Sequence, residues 1–196
     1  MPTTTRLTRQ ARREQLLDTA LGMVRTQGTD NLSLVSLAEA AGVSRPIVYD
    51  HFGTRSGLLL ALYRQLADQL REASTRALDD VSPEPRALAR AVSAAYFGCV
   101  SEIPEWTAVS AALKGDPELD EIELELCDSY AEVMLTAFGP YSTLPTEALR
   151  LRCFGVMGAA ETIAAELIRG RASLAEATEA LTGLIVAGID LAIDDA

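Results

Sequence analysis

The chain has 196 residues and is 48% apolar, enough to bury one or two cores. Its formal net charge is −11, which excludes a polyanion-binding surface spread over the whole molecule. Residues 1–57 nevertheless carry seven Arg against five Asp and Glu, so a phosphate-binding surface has to be local and N-terminal. Apolar residues recur at helical spacing and no run alternates as a strand would, so the predicted fold class is all-α.

After a polar tail over residues 1–8, a first helix is predicted from Arg9 to Gln27, with Leu17, Ala20, Leu21 and Val24 on one face and Gly28 as its stop. A short second helix follows Ser33, a good N-cap, and ends at Gly42. A third starts after Ser44 and reaches about His51. Gly53 and Thr54 break it and start a fourth, which runs from Arg55 to Asp79, on the order of 37 Å at helical rise. Ser82-Pro83-Glu84-Pro85 reads as a hinge. Helices are expected over 86–101, over 105–114, and from Pro117 through Phe138. The last two are the most regular, over 146–169 and 174–193, the second opened by the capping box Ser173-Leu174-Ala175-Glu176. Beside their main stripes they carry a second apolar face, Leu151, Phe154 and Gly158 on one and Ile185, Ile189 and Ile193 on the other. That is more apolar surface than one subunit needs, and it predicts a homodimer closed by a four-helix bundle.

Other classes fall away. One His, no GxSxG, no phosphate-cradling Gly loop and no metal-spaced ligands argue against an enzyme and against a cofactor or metal. The three Cys lie in apolar stretches without CxxC spacing and read as reduced core thiols. The acidic run from Asp116 to Asp128 has its own apolar stripe and reads as a solvated face. Arg25 and Arg64 also read as solvated. No apolar run is long enough to span a membrane and no apolar segment follows the N-terminal charges, so a cytoplasmic chain is expected.

The most informative stretch is 34–52. Leu37 and Ala38 face the first helix, Ala41 is small where two helices approach, and Gly42 can take a positive φ at the C-cap. Ser44 caps the next helix, and Pro46 falls in its first turn, where a missing N–H costs nothing. Val48 and Phe52, four apart, point inward. Arg45, Pro46, Ile47, Tyr49 and His51 are left largely outward, a face with little reason to be so unless something covers it. This is a helix-turn-helix spanning Ser33 to Phe52.

At these residues the chain resembles the tetracycline-repressor (TetR) family of bacterial regulators. The matching positions are Ser33, Leu37-Ala38, Ala41-Gly42-Val43-Ser44, Tyr49-Asp50-His51-Phe52, Thr54-Arg55 and Leu58-Leu59-Leu60, covering about residues 9–64. Two departures stand out: Pro46-Ile47 where many relatives have Gly-Thr, and Gly57 where an acidic residue is common. The resemblance implies a helix-turn-helix DNA-binding domain over 1–56 and an effector-binding, dimerising helical domain over 57–196. It implies double-stranded operator DNA as partner, a repressor whose binding a small molecule controls, and two recognition helices about 34–36 Å apart. An architectural or activating regulator without an effector pocket is the alternative.

Residue by residue, it gives Tyr49, His51 and Arg55 to phosphates, Arg45 to guanine N7 and O6, and Pro46 and Ile47 to thymine methyls, with Thr54 also among the DNA-binding residues. Ser33 and Ser44 cap helices and touch phosphate. Arg6 and Arg9 form a flexible minor-groove arm. The effector-pocket candidates it suggests are Tyr63, Tyr96, Trp106, Met134, Phe138, Phe154 and Met157. With few basic residues in this half, the effector is expected to be apolar, neutral or cationic.

Overall fold

A computed structural model describes residues 7–79, 81–103 and 105–189. Within them the chain forms nine α-helices, a single 3-10 turn and no strand: α1 Arg9–Gln27, α2 Leu34–Ala41, α3 Arg45–Phe52, α4 Arg55–Asp79, α5 Pro85–Glu102, α6 Glu105–Leu113, α7 Pro117–Phe138, α8 Thr146–Ile168 and α9 Leu174–Gly188. The first four starts and stops agree with the capping residues. Thr8 accepts a hydrogen bond from the Ala11 amide at 3.1 Å to open α1. Ser33 opens α2 in a reciprocal box with Ser36, each hydroxyl accepting from the other's amide at 3.0 Å. Gly42 closes α2 at φ 65°, a left-handed conformation that a side chain resists. Ser44 occupies the N-cap position of α3, but its hydroxyl makes no capping hydrogen bond, against expectation. Pro46 already removes one N–H from that first turn.

The described residues divide into two compact units, and the division does not follow residue 56. The first comprises residues 7–66 with 105–120, the second 67–103 with 121–189. In the first, Leu16, Leu17 and Ala20 of α1, Leu37 and Ala38 of α2, Val48 and Phe52 of α3, and Leu58, Leu59 and Leu62 of α4 are buried. Each Leu, Val and Phe among them contributes roughly 1.5–3 kcal/mol by leaving water. Helix α6 joins this unit by packing on α1, with Val109 and Leu113 buried. Two polar ties flank that packing. Glu105, whose side chain is 1% exposed, accepts from Arg25 Nε of α1, and Ser56 of α4 donates to Asp116. Arg25 is therefore no free solvated residue: its guanidinium neutralises a buried carboxylate 80 positions away.

The second unit centres on α5 packed against α9, with α8 against both. Its core holds Val92, Phe97, Met134, Phe138, Leu149, Cys153, Leu181, Ile185 and Ile189. Ile185 and Ile189 were expected on a second, outward apolar face. They are instead 0% and 1% exposed, because α5 covers that side of α9. Ile193 lies outside the described residues. Leu151 and Gly158 of α8 do face outward, Leu151 at 72% exposure, while Phe154 is half-buried beneath the Arg150 guanidinium. The capping box of α9 forms as expected: Ser173 Oγ accepts from the Glu176 amide, and Glu176 Oε2 accepts from the Ser173 amide at 2.8 Å. The Ser173 amide first, and then the Ser173 hydroxyl, which donates to Glu176 Oε2 at 2.7 Å, hold the Glu176 carboxyl below its ordinary pKa.

No helix among the described residues is long and apolar enough to cross a membrane.

Candidate nucleic-acid interface

Helix α3 makes two turns and buries two side chains, Val48 and Phe52. Those residues fall four apart on one stripe, so the rest of the helix turns the other way. Arg45, Pro46, Ile47, Tyr49 and Asp50 are exposed, Ile47 at 38% and Tyr49 at 49%. The outer face thus offers a guanidinium, two apolar groups and a phenol within two turns. Arg45 leans on Glu39 of α2, Nη2 to Oε1 at 3.4 Å, but both partners are largely exposed, and such pairs hold a side chain only weakly.

The end of α3 is held by α1. Arg13 Nη1 donates to the His51 carbonyl at 3.1 Å, and its guanidinium carbon lies 5.0 Å from the Phe52 ring centroid. Arg9 Nη2 reaches the Asp50 carbonyl at 3.4 Å and its carboxylate at 3.5 Å. These contacts satisfy carbonyls that the helix end leaves without intrahelical donors. They also correct the reading of Arg9 as part of a flexible arm, since it is the first residue of α1 and is tied to α3. Arg6 lies outside the described residues. Arg13 carried no local signal, because its partner is 38 residues away.

His51 is half-buried, and its pKa is lowered, first by desolvation, then by the charges of Arg9, Arg13 and Arg12; Asp50 acts in the opposite sense. At neutral pH it is therefore an uncharged hydrogen-bonding group. Thr54 caps α4, its hydroxyl accepting from the Gly57 amide at 2.9 Å. Arg55, expected on phosphate, donates Nε to the Leu32 carbonyl at 2.9 Å and Nη2 to the Thr29 carbonyl at 2.7 Å. Its guanidinium thus fixes the loop before α2, with the remaining N–H groups directed elsewhere.

Gly57 explains itself in the structure. A Cβ at this position would run into the Phe52 carbonyl oxygen, a backbone atom that cannot swing away. The turn from α3 into α4 is therefore closed more tightly than a side chain at 57 permits. We expect Gly57→Ala to lower stability by about 1–3 kcal/mol through this overlap. Gly22→Ala in α1, where nothing lies within 4 Å, should raise it by roughly 0.5–1 kcal/mol. Thermal unfolding of the two variants checks the opposite signs.

The seven expected effector-pocket residues are divided between the two units. Tyr63 and Trp106 lie in the first unit with ring centroids 4.7 Å apart. Tyr96, Met134, Phe138, Phe154 and Met157 lie in the second. There Met134 and Phe138 are wholly buried core residues, and Tyr96 packs edge-on against Phe97. An open groove in this unit is bordered by Thr75, Leu78, Leu88, Val133, Ala137 and Tyr141, none of them among the seven. Burial raises the Tyr130 hydroxyl to about 12 and pushes the Cys153 thiol up, so both stay protonated at neutral pH.

Residues 16–62 match the model of the bacterial regulatory proteins of the tetR family. The chain is 40% identical over 89 residues to the HTH-type transcriptional regulator BetI of Burkholderia mallei, covering 45% of this chain and 46% of that protein. The chain thus spans about half the length of the curated relatives it matches. A TetR-like transcriptional regulator from Rhodococcus sp. RHA1 shares the fold with a TM-score of 0.62 at 24% identity, over 93% of this chain and 98% of that one. The multidrug binding protein EbrR, solved with imidazole, does so with a TM-score of 0.65 at 22% identity, over 94% and 96%.

Proposed function

We propose that the chain is a homodimeric repressor of the TetR family, whose model matches its residues 16–62, and that a small molecule controls its grip on operator DNA. The observation that carries the DNA-binding part is α3: all but two of its side chains turn outward or half outward, beside an arginine-rich first turn of α1. Ser33, Ser44, Tyr49, His51, Thr54 and Arg55 are the proposed phosphate contacts or their supports. Arg45, Pro46 and Ile47 are the proposed readers of base edges. The test is a titration with duplex DNA at several salt concentrations. Affinity should fall steeply with salt as counterions are released, and a salt-insensitive constant would overturn the reading.

Support for the dimer comes from α8 and α9. Leu151 and Leu184 are 72% and 46% exposed. Among them on the same two helices stand Gly155, Gly158 and Gly183, where an added Cβ would meet nothing within 4 Å. A mid-helix glycine costs roughly 0.5–1 kcal/mol relative to alanine, and nothing among the described residues requires these three. A closely approaching second subunit gives them a reason. Sedimentation should find a dimer for the native chain and a monomer for Gly158→Glu; a native monomer at DNA-binding concentrations would count against the proposal.

The effector is proposed to be neutral or cationic, given the acidic second half, with Tyr63, Tyr96, Trp106, Met134, Phe138, Phe154 and Met157 as candidate contacts. That EbrR was solved with imidazole supports a small-molecule role within the fold. The close burial of Met134 and Phe138 favours the second reading, a regulator with no effector pocket. A thermal-shift screen separates the two, since a ligand at 100 times its Kd stabilises by about 2.7 kcal/mol.

A further inference from the structure

We propose that the open groove between the C-terminal turns of α4 and α7 binds a protonated amine carried on an apolar body, an arylalkylammonium in chemical class. None of the seven candidate effector contacts lines this groove. Binding there is read without DNA, so it stands or falls apart from the repressor reading. The groove holds about 480 Å³, within the range of small-molecule sites. Leu78 of α4, Leu88 of α5, and Val133 and Ala137 of α7 make its apolar lining, Leu88 buried and the other three half-buried. Such a lining takes a hydrocarbon body, and the polar groups around it decide the head group.

Those polar groups are acceptors. Among the described residues no Lys, Arg, His, Asn, Gln or Trp lines the groove. Its three hydroxyls have each committed their one proton: Thr75 Oγ1 donates to the Arg71 carbonyl at 3.0 Å, Thr136 Oγ1 to the Glu132 carbonyl at 2.9 Å, and the Tyr141 hydroxyl to the Pro83 carbonyl at 2.6 Å. Pro83 and Pro140 bring no backbone N–H. Lone pairs are what remain. An anion seated here would give up its water without gaining a side-chain donor, whereas an ammonium offers three N–H groups.

Charge points the same way. Asp79 and Glu132 are the charged residues of the lining, both exposed. Glu132 accepts from Arg150 Nη1 at 2.5 Å, but the same guanidinium donates to Asp128 at 2.8 Å. One arginine is thus divided between two carboxylates, and Asp79 adds a third. Asp79 is the last residue of α4, and Thr136 and Ala137 lie in the last turn of α7. At such helix ends the carbonyls lack intrahelical donors and favour a cation. Helix α5 begins beside the groove but lines it with Leu88 alone. Two helix ends of negative sign and a surplus of carboxylate over guanidinium therefore meet one apolar lining.

The experiment titrates the full chain by calorimetry with phenethylammonium, and in parallel with phenethyl alcohol and phenylacetate, which keep the aromatic body and change the head. The native chain should bind the ammonium about tenfold more tightly than the alcohol, the gain of a charged over a neutral hydrogen-bonding group, and should not bind the carboxylate. Asp79→Asn should weaken the ammonium about two- to fivefold, the effect of one exposed charge, and Asp79→Lys should abolish its binding. Thr136→Trp should abolish it by filling the groove. Both positions are exposed, so these variants keep the fold, which an unchanged Tm checks. No binding at millimolar amine, equal affinity for the alcohol, or binding that survives both Asp79→Lys and Thr136→Trp each overturns the inference. Any of these leaves the regulator reading in place, since the salt titration with duplex DNA tests that separately.

Discussion

Arg25→Met will destabilise the chain more than Glu105→Gln, although Arg25 is the exposed member of the pair. Glu105 sits at 1% exposure with Oε1 on Arg25 Nε, and its Oε2 is buried with no hydrogen-bond partner among the described residues. Removing the arginine leaves a carboxylate at that depth with nothing to balance it, a situation that costs about 3 kcal/mol or more. In a domain of this size that is a fall in Tm of roughly 6–12 °C. Glu105→Gln leaves an amide oxygen still able to accept from Arg25, and strands only a guanidinium that water reaches. The double variant should recover most of the loss, which is the signature of a stranded charge rather than of lost packing. Equal effects from the two single variants would mean that water reaches Glu105.

Arg45→Ala will remove sequence preference while sparing most of the affinity for random DNA. A bidentate arginine on guanine discriminates against the wrong base by about 1–3 kcal/mol, or roughly 5- to 150-fold. A phosphate contact contributes instead to every sequence and to the salt slope, by about one unit for each. After selection of a binding site from a random pool, the ratio of affinities for selected and scrambled duplexes should collapse in Arg45→Ala, and the salt slope should fall by less than one unit. A preserved ratio would move Arg45 to the backbone contacts. Arg55→Ala is expected to act differently, because its guanidinium secures the loop at Thr29 and Leu32 and its loss disturbs the entry to α2.

The parts of the fold readable from sequence are those set by neighbours within a few residues. Ser33 and Ser173 announce their helices because a cap and its partner are three positions apart, and Gly42 announces a stop because the left-handed turn is local. The inward pair Val48 and Phe52 is likewise a matter of helical period. What was not readable depends on distant partners. Nothing near Arg25 or Arg13 in sequence tells of Glu105 or of the His51 carbonyl. That α6 packs on α1 within the first unit follows from Val109, Leu113 and the two polar ties that flank them, all of them long-range. Ile185 and Ile189 illustrate the same limit: an apolar stripe says that something covers it, and only the position of α5 says what. The outward face of α3 was legible; which of the aromatics are plain core was not, since core aromatics and pocket aromatics share one periodicity.

Helix α3 keeps its place with Val48, Phe52 and the grip of α1 on its last carbonyls, none of which involves the side chains of Arg45, Pro46, Ile47 or Tyr49. Address and foundation are thereby written in separate letters. A duplicated copy of such a gene can change its target one residue at a time, each step invisible to the folded state, and drift away from its sibling's promoters without passing through an unstable intermediate. For the same reason, four neighbouring positions of α3 can be randomised before stability becomes the limiting concern.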